Sequence, residues 1–439
     1  MPNKINLKGE VFKKYFSNLS WLFVEKIFRL VFNFAVSVYV VRYLGPENNG
    51  VLAFSISVAT ILTAFSNLGL RGIFVRQIVD DEENTIKYLG TTFYLKLISS
   101  ILLFLSVVIY YLLNPNVERL VLLFVSLSVI FQSMQIFEFF FQAKVESKFA
   151  VQSKFWGIAL SNILKIWLIL SAAKIEYFGI AYTVEFAVQG FVMLFYFKRN
   201  YSILPAWKYD FGIARSLLKD SWPLFFSAAA SVIYLKVDKI ILMELMSKAT
   251  VGIYDSATRI CESINFLPLI ITTTLLPAIV KSKKMNREIY DGRSQKLYDL
   301  LTWIAYAVVI PIAVFSQEII DLLYQSDFES AGSVLRIYII ASIPIFIYMG
   351  NSQFLITENL TKTYLYRAVL GMIANVGLNL YLIPIYGMMG AAYATLVSYS
   401  VAAFSVVLFP SSRNHFKMIV KSLFMVNLPK FVIGRIKNS

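Results

Sequence analysis

The sequence predicts an all-α, polytopic membrane protein with about twelve transmembrane helices. Of its 439 residues, 58% are hydrophobic and only 15% are charged, whereas soluble domains carry about 25% charged residues. Apolar runs of about 20 residues, long enough to span a bilayer, recur along the whole chain. The chain has only one cysteine and one histidine, too few for a zinc centre or for Cys–His or Ser–His catalysis. We therefore expect no metal and no other cofactor.

The expected spans follow one another with short connections. In the first half they are 20–42, 50–70, 88–112, 117–141, 154–172 and 178–197. In the second half they are 221–243, 251–280, 297–316, 336–356, 363–383 and 387–410. An acidic amphipathic segment at 317–333 and the last 29 residues remain outside the spans.

The distribution of basic residues predicts the orientation. Most of the 41 lysines and arginines lie in the N-terminus, in alternate loops and in the tail, and only four, Arg42, Arg119, Lys174 and Lys248, lie on the opposite side. Basic residues concentrate in cytoplasmic loops, so both termini are expected in the cytoplasm. This rule also explains the net charge of +15 without a nucleic-acid partner.

The two halves of the chain resemble each other. The turn LGPENNGVLAFS aligns with MSKATVGIYDSA, which places Gly50 over Gly252, 202 residues later. Six helices per half make this a parallel repeat, and such repeats usually enclose a substrate path. We therefore expect an N-terminal lobe (1–205), a C-terminal lobe (206–410), a central cavity and a basic amphipathic cytoplasmic tail (411–439).

Charged residues inside the predicted spans are the strongest indication of function. Each costs about 2.5–3.5 kcal/mol at the bilayer centre, so they must face water or one another. The acids of interest are Glu25, Glu138, Glu185, Asp238, Asp255 and Glu262. The bases of interest are more numerous: Lys26, Arg29, Lys96, Lys165, Lys236, Lys239, Arg259, Arg336 and Arg367. This excess of cations predicts an anionic ligand.

Arg259 and Lys165 lie deepest in their helices and are the first candidates for binding that anion. The further candidates are Lys236, Lys239 and Arg29. Arg259 can also be purely structural, because Asp255 (i−4) and Glu262 (i+3) are both within reach on its own helix. Lys26, Lys96, Arg336 and Arg367 are close enough to helix ends to extend towards the interface. The spacing does not decide between these interpretations.

Three buried acids are candidates for coupling transport to a proton or sodium gradient. They are Asp238, Glu262 and Glu185, because desolvation favours the protonated form of a carboxyl group. The hypothesis competes with simple ion pairing, since Lys239 is adjacent to Asp238 in the chain.

Three segments carry a resemblance to a known family. VRYLGPENNGVLAFSIS (41–57), NLGLRGIFVRQ (67–77) and VDKIILMELMSKATVGIYDSATRI (237–260) are similar to those of Wzx-type, O-antigen polysaccharide-unit flippases. That family belongs to the superfamily of drug exporters and the peptidoglycan lipid flippase. The resemblance covers about residues 15–410. It implies a two-lobe flippase that moves undecaprenyl-pyrophosphate-linked oligosaccharide to the outer leaflet of the bacterial inner membrane, for lipopolysaccharide or related polysaccharides.

Two other functions remain as alternatives. A multidrug or cation exporter of the same superfamily requires an acidic cavity, whereas the bases within the spans outnumber the acids. A membrane glycosyltransferase or polymerase requires a large outer loop, and only 317–333 is long enough. We therefore expect a transporter and not an enzyme, with the lipid bilayer, the lipid-linked glycan and the pathway's polymerase and chain-length proteins as partners.

Overall fold

A computed structural model describes residues 32–201, 208–283, 286–324, 326–358 and 360–426, and all regular secondary structure in these segments is helical. The chain divides into two compact units, Met1–Val232 and Ile233–Ser439. Each unit has its own core. The expected lobe boundary, between 205 and 206, lies 27 residues before the division at Val232.

Unit 1 contains the helices of the first half. They are α1 (Phe34–Ser66), α2 (Leu70–Asp80), α3 (Thr85–Leu113), α4 (Val117–Ser126), α5 (Ile136–Ala143), α6 (Ser147–Leu170), α7 (Ile175–Asn200) and the start of α8 (Phe211–Leu245). Two short turns, Ser128–Phe131 and Gln132–Gln135, connect α4 to α5. A phenylalanine-rich core that includes Phe74, Phe140 and Phe197 joins α2, α5 and α7.

The first two predicted spans meet inside the expected connection 43–49. Two helices, which we number together as α1, follow one another there and are separated by a kink at Gly45, which has the non-helical φ +68° and ψ 175°. Glycine adopts this left-handed region without a steric penalty, and the following Pro46 has no N–H to continue the helical hydrogen bonds. The expected break is therefore a kink.

Unit 2 contains the end of α8 and the remaining helices. They are α9 (Lys248–Ile264), α10 (Phe266–Lys283), α11 (Arg287–Val314), α12 (Ser316–Leu323), α13 (Ala331–Tyr338), α14 (Ser342–Thr357), α15 (Thr361–Tyr386), α16 (Met388–Phe404) and α17 (Arg413–Leu423). The acidic segment 317–333 is largely helical, and the predicted span 251–280 is divided at Asn265. Tyrosines 234, 298, 348 and 399 form much of the core.

The C-terminal helix α17 packs against α11 in unit 2. Its buried residues include His415, Met418 and Ile419, and the Ser422 hydroxyl donates a 2.7 Å hydrogen bond to Asp299 of α11. The tail up to Leu423 is therefore helical with one face on protein. Contact of its other face with lipid stays a prediction.

Ten helical segments in the described part of the chain are long and apolar enough to cross a membrane. The first, Phe32–Asp80, contains the kink at Gly45 and corresponds to two expected spans. Helix α8 is outside the ten, and it carries Lys236, Asp238 and Lys239. Dividing the first segment and adding α8 gives the expected twelve. The protein is a multi-pass, all-α membrane protein.

Candidate functional site

The charged hairpin of unit 2 consists of the end of α8 and the whole of α9. The two helices are separated only by Met246 and Ser247. The Ser247 hydroxyl accepts a 3.1 Å hydrogen bond from the Thr250 backbone N–H, which caps the first turn of α9. This tight connection makes the helices antiparallel neighbours, so charges on α8 can reach those on α9.

Three ion-pair contacts between these helices and one within α9 form a single network. The Lys239 Nζ lies 2.6 Å from Asp255 Oδ1 and 3.7 Å from Glu262 Oε1. The Lys236 Nζ lies 2.8 Å from Glu262 Oε2. Within α9, an Arg259 Nη lies 2.5 Å from Asp255 Oδ2. Of the two intrahelical partners that its spacing allowed, Arg259 therefore binds Asp255, while Glu262 pairs across the hairpin with Lys236.

Asp238 is held by hydrogen bonds. It accepts a 2.6 Å hydrogen bond from the Tyr254 hydroxyl and a 2.8 Å hydrogen bond from the Lys239 backbone N–H. The Asp238 side chain is buried. Nothing in the sequence distinguishes Tyr254 among 26 tyrosines, because its position opposite Asp238 depends on the rotation of α9 against α8.

The network has an inner part and an outer part. The Lys239 and Asp255 side chains are 4% and 6% exposed, whereas those of Arg259 and Glu262 are 27% and 30% exposed. The Arg259 Nε is buried and has no hydrogen-bond partner among the described residues. Counting Lys236 and Asp238, three cations face three carboxylates. Arg259 has the most exposed side chain of these three cations.

The candidates in unit 1 are further apart. The Lys165 Nζ lies 3.5 Å from the Asn162 Oδ1 on the same helix, α6. On α7, the buried Glu185 accepts a 3.3 Å hydrogen bond from Gln189. A Cβ added to Gly157 of α6 would lie 2.5 Å from the Glu185 carbonyl oxygen, so this glycine permits the close approach of the two helices. Arg29 lies outside the described residues.

A second polar network in unit 2 surrounds Arg367 of α15. This side chain is fully buried and donates to the Asn351 Oδ1 at 2.8 Å. Its guanidinium also lies 4.0 Å from the Tyr348 ring centroid. The alternative that Arg367 reaches the interface is therefore wrong. On the same helix, Asn375 donates to Ser398 of α16, an interhelical hydrogen bond.

The network continues to Glu358, which lies between α14 and α15. The Tyr298 hydroxyl is 3.1 Å from the Asn351 amide and 3.2 Å from the His415 Nδ1, and the His415 Nε2 is 3.7 Å from Glu358. Burial raises the pKa of Glu358, but its contacts with His415 and Tyr290 and the charge of Lys283 bring it down to about 2. None of these residues was a candidate from the sequence.

Across the described residues, no three histidine, cysteine or acidic side chains are grouped so that they could hold a metal ion. In the charged hairpin, lysine or arginine side chains bind both acids of α9, Asp255 and Glu262. The charged side chains of the hairpin can exchange ion-pair partners with one another.

Relatives in sequence extend over most of the chain. It is 22% identical to the capsular polysaccharide biosynthesis protein CapF of Staphylococcus aureus, over 88% of this chain and 97% of CapF. It is 24% identical to the probable low-salt glycan biosynthesis flippase Agl15 of Haloferax volcanii, over 87% of this chain and 80% of that protein.

Solved structures confirm the fold class. An inward-facing multidrug resistance transporter of the MATE family, within the MOP superfamily, aligns with a TM-score of 0.72 at 17% identity, over 90% of this chain and 95% of that one. The lipid II flippase MurJ aligns with a TM-score of 0.72 at 16% identity, over 95% and 93%. The family described as polysaccharide biosynthesis protein matches residues 16–283, more than half of the sequence, and this chain is a member of that family.

Proposed function

We propose that this protein is a flippase that carries a lipid-linked oligosaccharide across the membrane for surface polysaccharide biosynthesis. The carrier lipid is undecaprenyl pyrophosphate, and the unit moves from the inner to the outer leaflet by alternating access. We place the protein in the bacterial cytoplasmic membrane with both termini in the cytoplasm. Transport involves no covalent step, and the pathway's polymerase and chain-length proteins are candidate partners.

The observation that carries this proposal is the partly exposed Arg259 within the charged hairpin. A diphosphate cannot enter hydrocarbon unless its charges are neutralised. Arg259 binds Asp255 through one Nη and its side chain is 27% exposed, so the rest of its planar fork can bind phosphate oxygens while the network holds it in place. The flippase Agl15 among the relatives supports the same class of substrate.

The remaining candidates have supporting roles in this proposal. Lys236 and Lys239 hold Glu262 and Asp255 in position and supply positive charge when an anion binds. Lys165 and Arg29 are further candidate ligands. We assign ion coupling to Asp238, Glu262 and Glu185, each of which can exchange a proton or bind sodium. Transport by Asp238→Asn that still depends fully on an ion gradient would remove Asp238 from this role.

A cation exporter is a weaker proposal. The carboxylates of Asp255 and Glu262 already bind lysine or arginine side chains. A cationic drug would have to displace these tethered cations. An anionic substrate instead needs only to share Arg259 with Asp255.

The test is a flipping assay with purified protein in proteoliposomes that contain a fluorescent lipid-diphosphate oligosaccharide. Arg259→Lys retains the charge without the bidentate fork, so we expect it to flip more slowly than wild type but faster than Arg259→Ala. Arg259→Glu should abolish flipping. Lys248→Ala, a charge removal at the exposed start of the same helix, is the matched control and should keep wild-type activity.

Protein abundance in the membrane is measured in parallel. If Arg259 only positions Asp255, then Arg259→Ala lowers the amount of folded protein and flipping per folded molecule is unchanged. Normal flipping by both Arg259→Ala and Lys165→Ala at wild-type abundance would refute the assignment of these residues to the anion site.

A further inference from the structure

Unit 1 contains a second group of charged side chains, formed by Arg71 of α2, Lys96 of α3, Glu138 of α5 and Lys154 of α6. We call this group the unit 1 cation cluster. By the basic-residue topology, it lies towards the cytoplasmic ends of these helices. The four helices pack pairwise, α2 and α3 against α5 and α5 against α6, so the side chains converge although they are distant in sequence.

Lys96 is the unusual member of the cluster. Its side chain is fully buried, and among the described residues its Nζ has no hydrogen-bond partner. The hydroxyls of Thr92 and Ser100, which lie one turn before and one turn after Lys96 in α3, are also buried and have no hydrogen-bond partner among the described residues. Lys96 is 11 residues from the start of α3 at Thr85, about 16 Å at 1.5 Å per residue. The alternative that it reaches the interface is therefore wrong.

The Lys96 ammonium group contacts an aromatic ring. Its Nζ lies 4.8 Å from the Phe139 centroid, a cation–π contact. Such a contact compensates only part of the cost of removing an ammonium group from water. Buried polar groups in native proteins are nearly always hydrogen-bonded, so this ammonium group calls for an acceptor, which an anion would supply.

Glu138 does not neutralise the cluster. Its Oε1 lies 2.6 Å from the Lys154 Nζ and accepts a 3.1 Å hydrogen bond from the Gln142 amide. One carboxylate thus faces three cations, which leaves a formal charge of +2. Lys154 and Glu138 are 21% and 11% exposed, so the cluster has an accessible side.

Phe139 separates the accessible and the buried parts of the cluster. The exposed Arg71 lies 5.6 Å from the centroid of the same ring that Lys96 contacts, and it donates a 3.1 Å hydrogen bond to the Gln142 Oε1. A rotation of this one side chain would connect Arg71 to Lys96. An anion held first by Arg71 and Lys154 could then reach the lysine.

We propose that the unit 1 cation cluster is a binding site for a phosphate group, and that it takes up the diphosphate of the lipid-linked substrate at the cytoplasmic side. Two negative charges match the formal +2, arginine and lysine are the usual phosphate ligands, and the Thr92 and Ser100 hydroxyls supply further donors. The assignment of the diphosphate to the substrate rests on the proposed function. An ordinary anionic phospholipid offers the same chemistry, and the experiment separates the two sources.

The experiment measures binding of inorganic pyrophosphate to the purified full-length protein in nanodiscs of zwitterionic lipid. Lys96→Met removes the charge and keeps the approximate shape, and we expect it to weaken binding about 10- to 100-fold, the usual effect of losing a charged hydrogen bond. Lys87→Met removes an exposed lysine from the same helix and should bind like wild type. Glu138→Gln removes the competing carboxylate and should bind more tightly.

Thermal stability without ligand distinguishes a binding role from a structural one. Removal of a buried charge that lacks a hydrogen bond should leave the melting temperature of Lys96→Met equal to that of wild type or raise it. A lower melting temperature with unchanged pyrophosphate affinity would show a structural lysine and overturn the proposal. If Lys96→Met does not fold, Glu138→Gln decides alone: equal or weaker binding overturns the proposal.

Two further measurements identify the source of the phosphate. Undecaprenyl diphosphate should compete with pyrophosphate in wild type and lose that effect in Lys96→Met. Competition by phosphatidylglycerol alone would instead assign the site to membrane lipid and overturn the substrate assignment. If wild type flips the substrate but Lys96→Met binds pyrophosphate like wild type, this inference is refuted and the proposed function stands. If pyrophosphate binding depends on Lys96 but wild type does not flip the substrate, the binding site stands and the proposed function is refuted.

Discussion

The contact between Lys239 and Asp255 should dominate the stability of the charged hairpin. Both side chains are nearly inaccessible, at 4% and 6% exposure, and their charged atoms are 2.6 Å apart. Removing one partner of such a pair strands the other charge and costs about 3–5 kcal/mol. The perturbation is a double-mutant cycle of Lys239→Met, Asp255→Asn and the combined variant.

The structure predicts that the two single variants differ. Without Lys239, Asp255 retains Arg259 at 2.5 Å, so Lys239→Met should cost about 3 kcal/mol, the lower end of that range. Without Asp255, Lys239 has only Glu262 at 3.7 Å, and Arg259 loses its partner as well. Asp255→Asn should therefore cost about 5 kcal/mol, and the combined variant should cost less than the sum by about 2–3 kcal/mol.

The assay is unfolding of purified protein in detergent micelles, followed by helical circular dichroism during denaturant titration and heating. For a unit of about 200 residues, each kcal/mol lowers the melting temperature by about 2–4 °C, so Asp255→Asn should lower it by about 10–20 °C. The control pair is Arg76–Asp80, whose side chains are 77% and 59% exposed. Its coupling should stay below about 1 kcal/mol. Additive costs at Lys239 and Asp255, or a cost of Asp255→Asn below about 1 kcal/mol, would refute this reasoning.

Three further outcomes are expected. Tyr254→Phe removes the hydroxyl that donates to Asp238 at 2.6 Å, and should cost about 1.5–3 kcal/mol; unchanged unfolding would show that water replaces the hydroxyl. The pKa of Glu358 is lowered from 4.5 to about 2, so its stabilising effect is complete above pH 4.5 and is lost as the pH falls towards 2. The melting-temperature advantage of wild type over Glu358→Gln should therefore shrink over that range, and a gap independent of pH would contradict the ion-pair role. Deletion of 411–439 exposes the surface that buries Met418 and Ile419, and should destabilise unit 2 by about 3 kcal/mol or more without preventing membrane insertion.

Most of the fold could be predicted because membrane spans follow from length and composition. Helix α3 extends over Thr85–Leu113 and α7 over Ile175–Asn200, where spans at 88–112 and 178–197 were expected. The connection expected at 43–49 is present, but it is a kink at one non-helical residue, Gly45 with φ +68°, and not a seven-residue loop. Apolar length alone does not distinguish a kink of this kind from a short loop.

The candidate site was predicted only within single helices. Arg259 and Asp255 are four residues apart, and helical periodicity alone places them side by side. The partners of Lys236 and Asp238 are 26 and 16 residues away in the chain. Those pairs depend on how α8 and α9 are rotated against each other, which the packing of unit 2 determines.

Lys96 shows the same limit for burial. A lysine within reach of a helix end can extend to the interface only if its path is open, and Phe139 of α5 covers this one. The distance of Lys96 from the expected start of the span at 88 was therefore a poor guide to its exposure. The residue that covers it belongs to another helix, and spacing within α3 carries no information about that neighbour.

The two groups of buried charge differ in their balance, and the difference indicates different uses. In the charged hairpin of unit 2, three cations face three carboxylates, so the charge of the network is balanced without a ligand and the network can hold Arg259 in one orientation. In the unit 1 cation cluster, Glu138 is the one carboxylate facing three cations among the described residues, and the charge is not balanced. A balanced network can position a substrate group without binding it so tightly that release is slow. An unbalanced cluster gains most from the first arrival of an anion, which is the property that a site of uptake requires.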